Sequence, residues 1–457
     1  MKNLVLSFVL WAAVLPCEGR IITVDDDGPA DFNNIQAAIN DANDGDVVIV
    51  AEGKYLENIS FNGKNITLTS RDPNNPSVVA KTVIDAQQRG RVVTIDSGED
   101  ANCVLSGFTI TNGRAGGGAG IYCADSNPTF NNCIISKNFG GGASGGMYCN
   151  NSSPKLVNCA FIRNSGHAGG GIYSNKSKLT LARCTFTDNS ATWHAGAMAA
   201  GEGSSVKLDN CIFTRNSSGS HAGAISTGGL KGSAWTITNC TFVANSASDC
   251  GGAIYHGSTG RVIITNCIFW DNGARGLERG LQDLAQISLH APNVPMIKYC
   301  CIQGLDVLDD IVDGLGNISE NPIFADPNKG DYHLRSGAGR WHPKKRSWIQ
   351  DGVTSPCIDA GDPNIPVGQE PLPNGGRINM GAYGGTAEAS MPPYDWALLS
   401  DVTNDGTVDF VDFGHLAGVY TEQDDELAAD FDRDGDVDYD DLSLLAEDWL
   451  KQTTWHE

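Results

Sequence analysis

Two acidic loops near the C-terminus carry the clearest metal-binding pattern in the sequence. The second loop runs from Asp430 to Asp441 and reads DFDRDGDVDYDD. Oxygen ligands at positions 1, 3, 5, 7, 9 and 12 of such a loop, with glycine at position 6, surround a hard cation such as Ca²⁺. Because the carboxylates repel one another without an ion, we expect this segment to fold with calcium. The predicted ligands are Asp430, Asp432, Asp434, the backbone carbonyl of Asp436, Asp438 through a water molecule, and Asp441.

The first loop runs from Asp401 to Asp412 and reads DVTNDGTVDFVD. Its third position is threonine instead of Asp or Asn, so we expect weaker binding there. A helix from Asp412 to Tyr420 should follow it, and the second loop should lead into a helix with an apolar face. A solvated acidic tail is the alternative. The predicted ligands of the first loop are Asp401, Thr403, Asp405, Thr407, Asp409 and Asp412, and the apolar face is Leu442, Leu445 and Trp449.

Three histidines recur at equal intervals along the chain, each just before Ala-Gly: His167, His194 and His221. Such a column would offer imidazoles to a metal ion or a catalytic step. Repeat units stacked about 4.8 Å apart put the first and third histidine almost 10 Å apart, which is too far to share one tetrahedral ion easily. Solvated turn residues are the alternative.

Tyrosines form a second column, at Tyr122, Tyr148 and Tyr173, and Tyr255 continues it after a gap. If the residue before each tyrosine points inward, the tyrosine rings point outward. An exposed aromatic column is a natural platform for the apolar faces of sugar rings, and a column that only supports its strands is the alternative. The residues of the tyrosine and histidine columns are therefore our candidates for ligand binding. The sequence identifies no catalytic residues.

The elements that position these residues belong to an internal repeat. A motif of the form Cys-x-Phe-x-x-Asn, with Ile135 in place of Phe in its first copy, recurs at nearly constant intervals. Short runs rich in Thr, Val, Ile and Phe, broken by Gly, Asn and Ser, predict strands and turns without helices between them. Such a short period is typical of a solenoid in which each repeat forms one coil. The motif cysteines are Cys133, Cys159, Cys184, Cys211, Cys240 and Cys267.

Cysteine and phenylalanine two residues apart point to the same face of a strand, so we expect ladders of both in the core. The asparagine that ends each motif should lie at a turn and bond to the asparagine of the next coil. The chain has 14 cysteines. Disulfides remain an alternative in an exported chain, but parallel side chains fit the required dihedral angle poorly, which favours free thiols.

The N-terminal end of the solenoid needs a cover. A helix within residues 33–43, with Ile35, Ala38, Ile39 and Ala42 on one face, is the predicted cap. Val47–Val50 is predicted as the first strand. Before this region, a basic residue, an apolar stretch from Leu4 to Val14 and small residues to Gly19 predict a cleaved export signal.

Composition excludes several classes of protein. The net charge is −23, and residues 391–457 hold 19 acidic and 2 basic residues, a balance of −17. A nucleic-acid-binding protein needs a basic face, which this chain lacks in bulk. No apolar run reaches the roughly 18 residues of a membrane span, so we expect no transmembrane segment.

The opening from Asp31 through Val50 to Tyr55, and the stretches Ser355–Asp362 and Ile378–Tyr383, resemble secreted right-handed parallel β-helix proteins. The repeats resemble both pectin-lyase-like β-helices and the repeats of polymorphic outer-membrane adhesins. The resemblance covers roughly residues 21 to 390. It implies the fold, but this fold hosts lyases, hydrolases, isomerases and binding proteins alike.

The paired acidic loops resemble a type I dockerin over about Ser400 to Leu450. Both loops have Asp at position 12 and no preceding helix, as in dockerins. The resemblance implies a cohesin-bearing scaffold as partner. Positions 10 and 11 are Phe410-Val411 and Tyr439-Asp440, which differ from the usual Ser-Thr pair. A calcium-stabilised module without a cohesin partner is the alternative.

Together these observations predict an all-β right-handed parallel β-helix with an N-terminal capping helix, followed by a small α-helical calcium-binding dockerin domain. The expected divisions are a signal peptide (1–19), the β-helix (20–390), a linker (391–399) and the dockerin (400–457). We expect an exported, monomeric protein that binds polysaccharide or cleaves its O-glycosyl bonds as a hydrolase or lyase. A surface adhesin or structural spacer is the alternative.

Overall fold

A computed structural model describes residues 19–228, 233–257, 259–274, 286–289, 295–305, 314–372, 374–393, 398, 400–403, 406–422, 429–431 and 436–452. The predicted export signal therefore lies outside the described residues, apart from its last position, Gly19. No helix within these ranges is long and apolar enough to cross a membrane.

The chain winds into a right-handed β-solenoid of about nine turns. Strands of successive coils pair in parallel and form four sheets along the solenoid. Sheet A contains Ile21–Val24, Val47–Val50, Thr67–Ser70, Val104–Ser106, Thr129–Asn131, Lys155–Val157, Lys178–Ala182, Ser205–Asp209, Ala234–Thr238, Arg261–Thr265 and Met296–Lys298. Sheet B contains Gly53–Tyr55, Thr82–Asp85, Thr109–Thr111, Ile134–Ser136, Ala160–Ile162, Thr185–Thr187, Ile212–Thr214, Thr241–Val243, Ile268–Trp270 and Cys301–Ile302.

The other two sheets complete each coil. Sheet C contains Ile59–Ser60, Val93–Ile95, Ile121–Ala124, Met147–Asn150, Ile172–Asn175, Met198–Ala200, Ile225–Ser226, Ile254–His256 and Ile287–Leu289. Sheet D contains Arg114–Ala115, Phe139–Gly140, Ser165–Ala168, Ser190–His194, Ser217–Ser218, Ser246–Ala247 and Gly273–Ala274. A typical coil therefore passes through sheets A, B, D and C in turn.

Two left-handed residues bend each coil around sheet B. In one coil these are Asn158 (φ 53°), just before the motif cysteine, and Arg163 (φ 54°), just before the motif asparagine. A non-glycine residue with positive φ is uncommon, and here it recurs at the same two places in successive coils. The turns therefore fix which side chains face inward.

The predicted core ladders are confirmed. Five phenylalanines stack with ring centroids 4.7–4.8 Å apart, and the motif cysteines are buried thiols. The motif asparagines bond in series, with each Nδ2 donating to the next Oδ1 over 2.8–3.0 Å. The same Oδ1 accepts the backbone N–H of the previous asparagine, as Asn189 does from Asn164. The stacked rings are Phe161, Phe186, Phe213, Phe242 and Phe269.

Helix α1 (Ile35–Asp41) covers the N-terminal end of the core, as predicted. Asn34 caps it by accepting from the backbone N–H of Ala37, and Ile35 and Ile39 are fully buried. The prediction that Val47–Val50 is the first strand is wrong, because Ile21–Val24 precedes it and pairs with it in sheet A. A short helix α2 (Pro76–Lys81), which the repeat pattern did not predict, precedes one strand of sheet B.

The parallel coils end at Cys301–Ile302, well before residue 390. The following segment forms a 3₁₀ turn (Pro327–Lys329) and two antiparallel hairpins, Phe324–Asp326 with Asp331–Leu334 and Arg340–His342 with Ser347–Ile349. It then packs back along the last coils, where Asn210 Nδ2 donates to the carbonyls of Ala382 and Gly384.

Two helices lie in the acidic C-terminal region, α3 (Phe410–Val419) and α4 (Tyr439–Glu447). Leu416 and Leu445 are buried in one small core, and Leu442 and Trp449 pack against it. This region also contacts the segment after the coils, because the buried Arg377 donates to the carbonyl of Asp401 over 2.9 Å.

Candidate functional site

An open groove of about 600 Å³ lies on the outer surface of sheets C and D. It brings together most of the tyrosines and histidines that the sequence singled out. It is lined by Gly142, Ala143, Tyr148, His167, Ala168, Tyr173, Trp193, His194, Ala199, Ala200, Gly201, Glu202, Ser226, Gly228, Tyr255 and Gly257.

The tyrosine column leads into this groove. Tyr122, Tyr148 and Tyr173 occupy the same register position in successive strands of sheet C. Their rings stack with centroids 5.7 and 5.8 Å apart and planes within 10° of parallel. The rings are half-buried, while neighbours such as Ile121 point into the core. Burial, followed by the adjacent tyrosines, raises the pKa of Tyr148, so its hydroxyl stays protonated.

A cation covers the outer end of the column. The guanidinium of Arg91 lies 3.5 Å from the ring centroid of Tyr122. An arginine over an aromatic face is attracted by the ring quadrupole. The column therefore runs from this covered end at Tyr122 to an open ring face at Tyr173.

The column is broken for two coils. The positions in register with Tyr173 are Ala199 in the next coil and Ser226 in the one after, and the aromatic series resumes at Tyr255. Small side chains in place of two rings leave the space that forms the groove. Ala168 and Ala199 line the groove and belong to a buried cluster with Ala195 and Ala222.

The structure brings two of the three predicted histidines into one stack. The His194 ring lies 5.3 Å from that of His221, which lies 4.6 Å from the Tyr255 ring. A register shift between Gly166 and Ala168 places Ala168, and not His167, opposite His194. The prediction of a regular three-histidine column is therefore corrected to a pair.

His167 instead lies beside a tryptophan that the sequence analysis missed. Its ring is 5.4 Å from that of Trp193, and its Nδ1 is 3.0 Å from the Thr192 hydroxyl oxygen. Trp193 is 51% exposed, with its ring 4.1 Å from that of His194. The sequence did contain a signal for Trp193, because this aromatic residue directly precedes the repeated His194.

Burial and neighbouring histidines favour the neutral form of His194 in the groove. Burial, then the neighbouring His221 and His167, lowers the pKa of His194. Its Nδ1 is buried and has no hydrogen-bond partner among the described residues. The His194 imidazole, held in its neutral form, lines the groove.

Among the described residues that line the groove, Glu202 supplies the carboxylate, and it is exposed. Most glycoside hydrolases act with two carboxyl groups on either side of the scissile bond. The described lining of the groove contains one carboxylate.

The acidic loops are a second candidate site, and their last predicted ligands are buried and hydrogen-bonded. Asp412 is fully buried, and its Oδ1 accepts from the backbone N–H of Thr403 over 3.1 Å. Its Oδ2 accepts from the backbone N–H of Asp409, which caps helix α3 in return. Each helix of the pair thus begins with a reciprocal capping box.

The second loop repeats this geometry. Asp441 is buried and accepts from the backbone N–H groups of Phe431 and Asp438 over 2.6 and 2.9 Å. Asp430 is also buried and Asp436 half-buried. The predicted ligands Asp405, Asp432 and Asp434 lie outside the described residues. The described carboxylates have the chemistry of hard-cation ligands.

Comparison with known proteins supports the fold. The family model "Right handed beta helix region" matches residues 74–228 and 167–279, and the model "Disaggregatase related" matches residues 303–361. No curated protein matches the chain. Two structures of the pectin methylesterase from Aspergillus niger are similar at 14% identity, with TM-scores of 0.33 and 0.27. Each comparison covers 61% of this chain and 92% of the esterase chain.

Proposed function

We propose that the protein binds a polysaccharide along the tyrosine column, with one part of the glycan entering the break between Tyr173 and Tyr255. The observation that carries this proposal is the stack of three half-exposed rings that ends at an open groove. The apolar faces of sugar rings pack on flat aromatic surfaces. The groove adds polar groups for sugar hydroxyls, including the His194 imidazole, the exposed Glu202 and Ser226.

Binding without catalysis fits the described groove best, because its lining contains one carboxylate. A hydrolase or lyase acting on O-glycosyl bonds is the second candidate, since the same groove would hold the chain for cleavage. A spacer without a ligand is the third, and a smooth repeat surface would support it better than this aromatic groove does.

We also propose that the C-terminal region is a calcium-binding module of the dockerin type that tethers the β-helix to a cohesin-like scaffold outside the cytoplasm. Support comes from the two loops of matching pattern, each ending in a buried aspartate that caps a helix. Phe410 and Tyr439, at the equivalent position of each helix, are 76% and 70% exposed. Exposed aromatic side chains of this kind are typical of protein-binding surfaces.

The test is a binding and activity screen of the full chain with saturating calcium. Polyuronates and neutral polysaccharides are titrated, and new reducing ends and the near-ultraviolet absorbance of unsaturated uronates are followed. We expect binding without either product. Reducing ends with that absorbance would identify a lyase, and reducing ends alone a hydrolase.

Two matched variants locate the site. Tyr173→Ala removes the ring at the edge of the groove and should weaken binding at least about tenfold, as expected for loss of about 1.4 kcal/mol. Trp348→Ala, which removes an exposed ring on a distant hairpin, should leave affinity unchanged. Equal losses in both variants, or no binding to any glycan, would contradict the proposal.

A further inference from the structure

A thiol and a carboxylate approach the same imidazole nitrogen beside the groove. Cys250 Sγ lies 3.2 Å from His221 Nδ1, and Asp249 Oδ2 lies 3.8 Å from it. Cys250 is half-buried, whereas every other cysteine that the structure describes is buried. This is therefore the described cysteine most open to solvent.

The solenoid itself holds this pair together. The carbonyl of His221 accepts from the N–H of Ala195, and the carbonyl of Cys250 accepts from the N–H of Ala222. The two residues thus occupy equivalent turn positions in adjacent coils, where strands stack about 4.8 Å apart. The backbone of the repeat therefore fixes the positions from which the two side chains project.

The arrangement differs from a nucleophile–base–acid triad. In a triad the nucleophile and the orienting carboxylate use different nitrogens of the histidine, as general-base catalysis requires. Here both groups lie near Nδ1. A sulfur, a carboxylate oxygen and an imidazole nitrogen that lie close together are better placed to bind one cation than to pass a proton along a relay.

We propose that His221, Asp249 and Cys250 form a site for a thiophilic divalent cation, with Zn²⁺ as the best fit. Sulfur and imidazole nitrogen are ligands that select zinc-like ions over calcium. Zinc bonds of about 2.0 Å to nitrogen and about 2.3 Å to sulfur place the two atoms about 3.5 Å apart in a tetrahedral site, close to the observed separation. This site is distinct in chemistry and position from the acidic loops.

Asp249 can complete the set by rotation of its side chain away from Ser220. Its side chain is 56% exposed and its Oδ2 accepts from the Ser220 hydroxyl over 2.8 Å. Turning this carboxylate towards the sulfur supplies a third ligand and leaves the fourth position for water or a ligand. The stacked ring of Tyr255 holds the imidazole plane in place.

The experiment is a Co²⁺ titration of the reduced full chain in saturating calcium, which occupies the acidic loops first. We expect one equivalent of Co²⁺ with a thiolate-to-cobalt charge-transfer band, and displacement of that band by Zn²⁺. Cys250→Ser should abolish the band. His221→Gln and Asp249→Asn should each weaken binding at least about tenfold, a loss of about 1.4 kcal/mol.

His167→Gln is the matched control, because among the described residues this groove histidine contacts Thr192 and Trp193 and no cysteine, and the variant should bind Co²⁺ as the wild type does. Melting curves show that each variant is folded. Should Cys250→Ser fail to fold, the surface variant Asp249→Asn decides the matter. A wild type without the charge-transfer band, or a band that persists in Cys250→Ser, would overturn the proposal.

Discussion

Tyr173 and Tyr255 face the same side of sheet C three coils apart, with Ala199 and Ser226 in register between them. At about 4.8 Å per coil, the two rings are separated by about 14 Å along the solenoid. Two side chains that are small, in a column otherwise made of tyrosine, create the groove. The groove therefore forms where two successive coils lack the tyrosine of the column.

Filling the break should therefore weaken glycan binding. Ala199→Tyr would extend the ring stack from Tyr173 into the groove and exclude a sugar. We expect glycan affinity to fall at least about tenfold, corresponding to about 1.4 kcal/mol, in calorimetric titrations. Thr180→Tyr, which adds a ring to the exposed face of sheet A, is the control. A folded Ala199→Tyr protein with normal affinity would place the ligand elsewhere.

The asparagine ladder should dominate the stability of the solenoid. Asn189 is buried, its Oδ1 accepts from the backbone and side chain of Asn164, and its Nδ2 donates to Asn216 and to a carbonyl. Asn189→Ala leaves buried partners unsatisfied, at about 1–3 kcal/mol for each group. We expect the free energy of unfolding in denaturant to fall by about 3 kcal/mol or more.

Asn175 provides the comparison. It is half-buried on the outer side of sheet C and donates to Asn150 over 2.9 Å. Asn175→Ala should cost about 1 kcal/mol or less, the usual contribution of one such bond. Similar losses in the two variants would show that the ladder adds no more than an ordinary surface bond.

The sequence predicted what depends on the repeat and on strand alternation. The ladders of Phe161 and Asn189, the capping helix and the outward tyrosines follow from which residues share a face. The position of His167 did not follow, because one register shift in sheet D moves it away from His194. Trp193 was missed for the same reason, since its place in the groove depends on that shift.

The fold of the segment after the coils could not be predicted from the sequence either. Residues 314–393 carry no repeat, so no period indicated that they fold back onto the last coils. The contacts of Asn210 with Ala382 and Gly384 join parts of the chain that are far apart in sequence. Such long-range contacts have no local sequence signal.

Calcium should bind the two acidic loops with different affinities. The second loop has Asp432 at its third position where the first has Thr403, so we expect it to bind more tightly. Removing calcium should lower the melting temperature of the C-terminal core and change the fluorescence of Trp449, whose ring lies 5.0 Å from that of Phe410. Titration should show two events.

Variants of each loop show which of the two calcium-binding events belongs to which loop. Asp441→Asn should abolish the tighter event and Asp412→Asn the weaker one, because each is the predicted final ligand of its loop. Asp440→Asn changes the charge equally on an exposed position of α4 and should leave both events in place. A single event that Asp441→Asn leaves unchanged would refute the assignment.

Two buried carboxyl groups should make the segment after the coils sensitive to pH. Asp359 is 3% exposed, and neither of its carboxylate oxygens has a hydrogen-bond partner among the described residues. Burial, and then the nearby Glu370, raises the pKa of Asp359 to about 8, against the influence of Arg377. Burial also raises the pKa of Glu370 to about 7, although two backbone N–H groups donate to it.

The direction of the effect follows from these shifts. Folding favours the protonated acids, so their stabilising contribution is complete below the unfolded pKa of about 4 and is lost as pH rises through about 7 to 8. At about 1.4 kcal/mol per pKa unit, the part of this contribution that is lost between about pH 5.5 and about pH 8 is on the order of a few kcal/mol. The wild type should therefore melt at a lower temperature at about pH 8 than at about pH 5.5, with calcium saturating in both.

Asp359→Asn keeps the site neutral at every pH and should remove most of this difference. At about pH 8 the variant should be more stable than the wild type. The wild-type carboxyl is buried, so ionising it at that pH costs free energy that the uncharged asparagine does not incur. Asp96→Asn, on an exposed loop, should preserve the wild-type pH dependence. If Asp359→Asn retains the full pH dependence, Asp359 is not the group whose ionisation destabilises the fold, and Glu370→Gln then tests its neighbour.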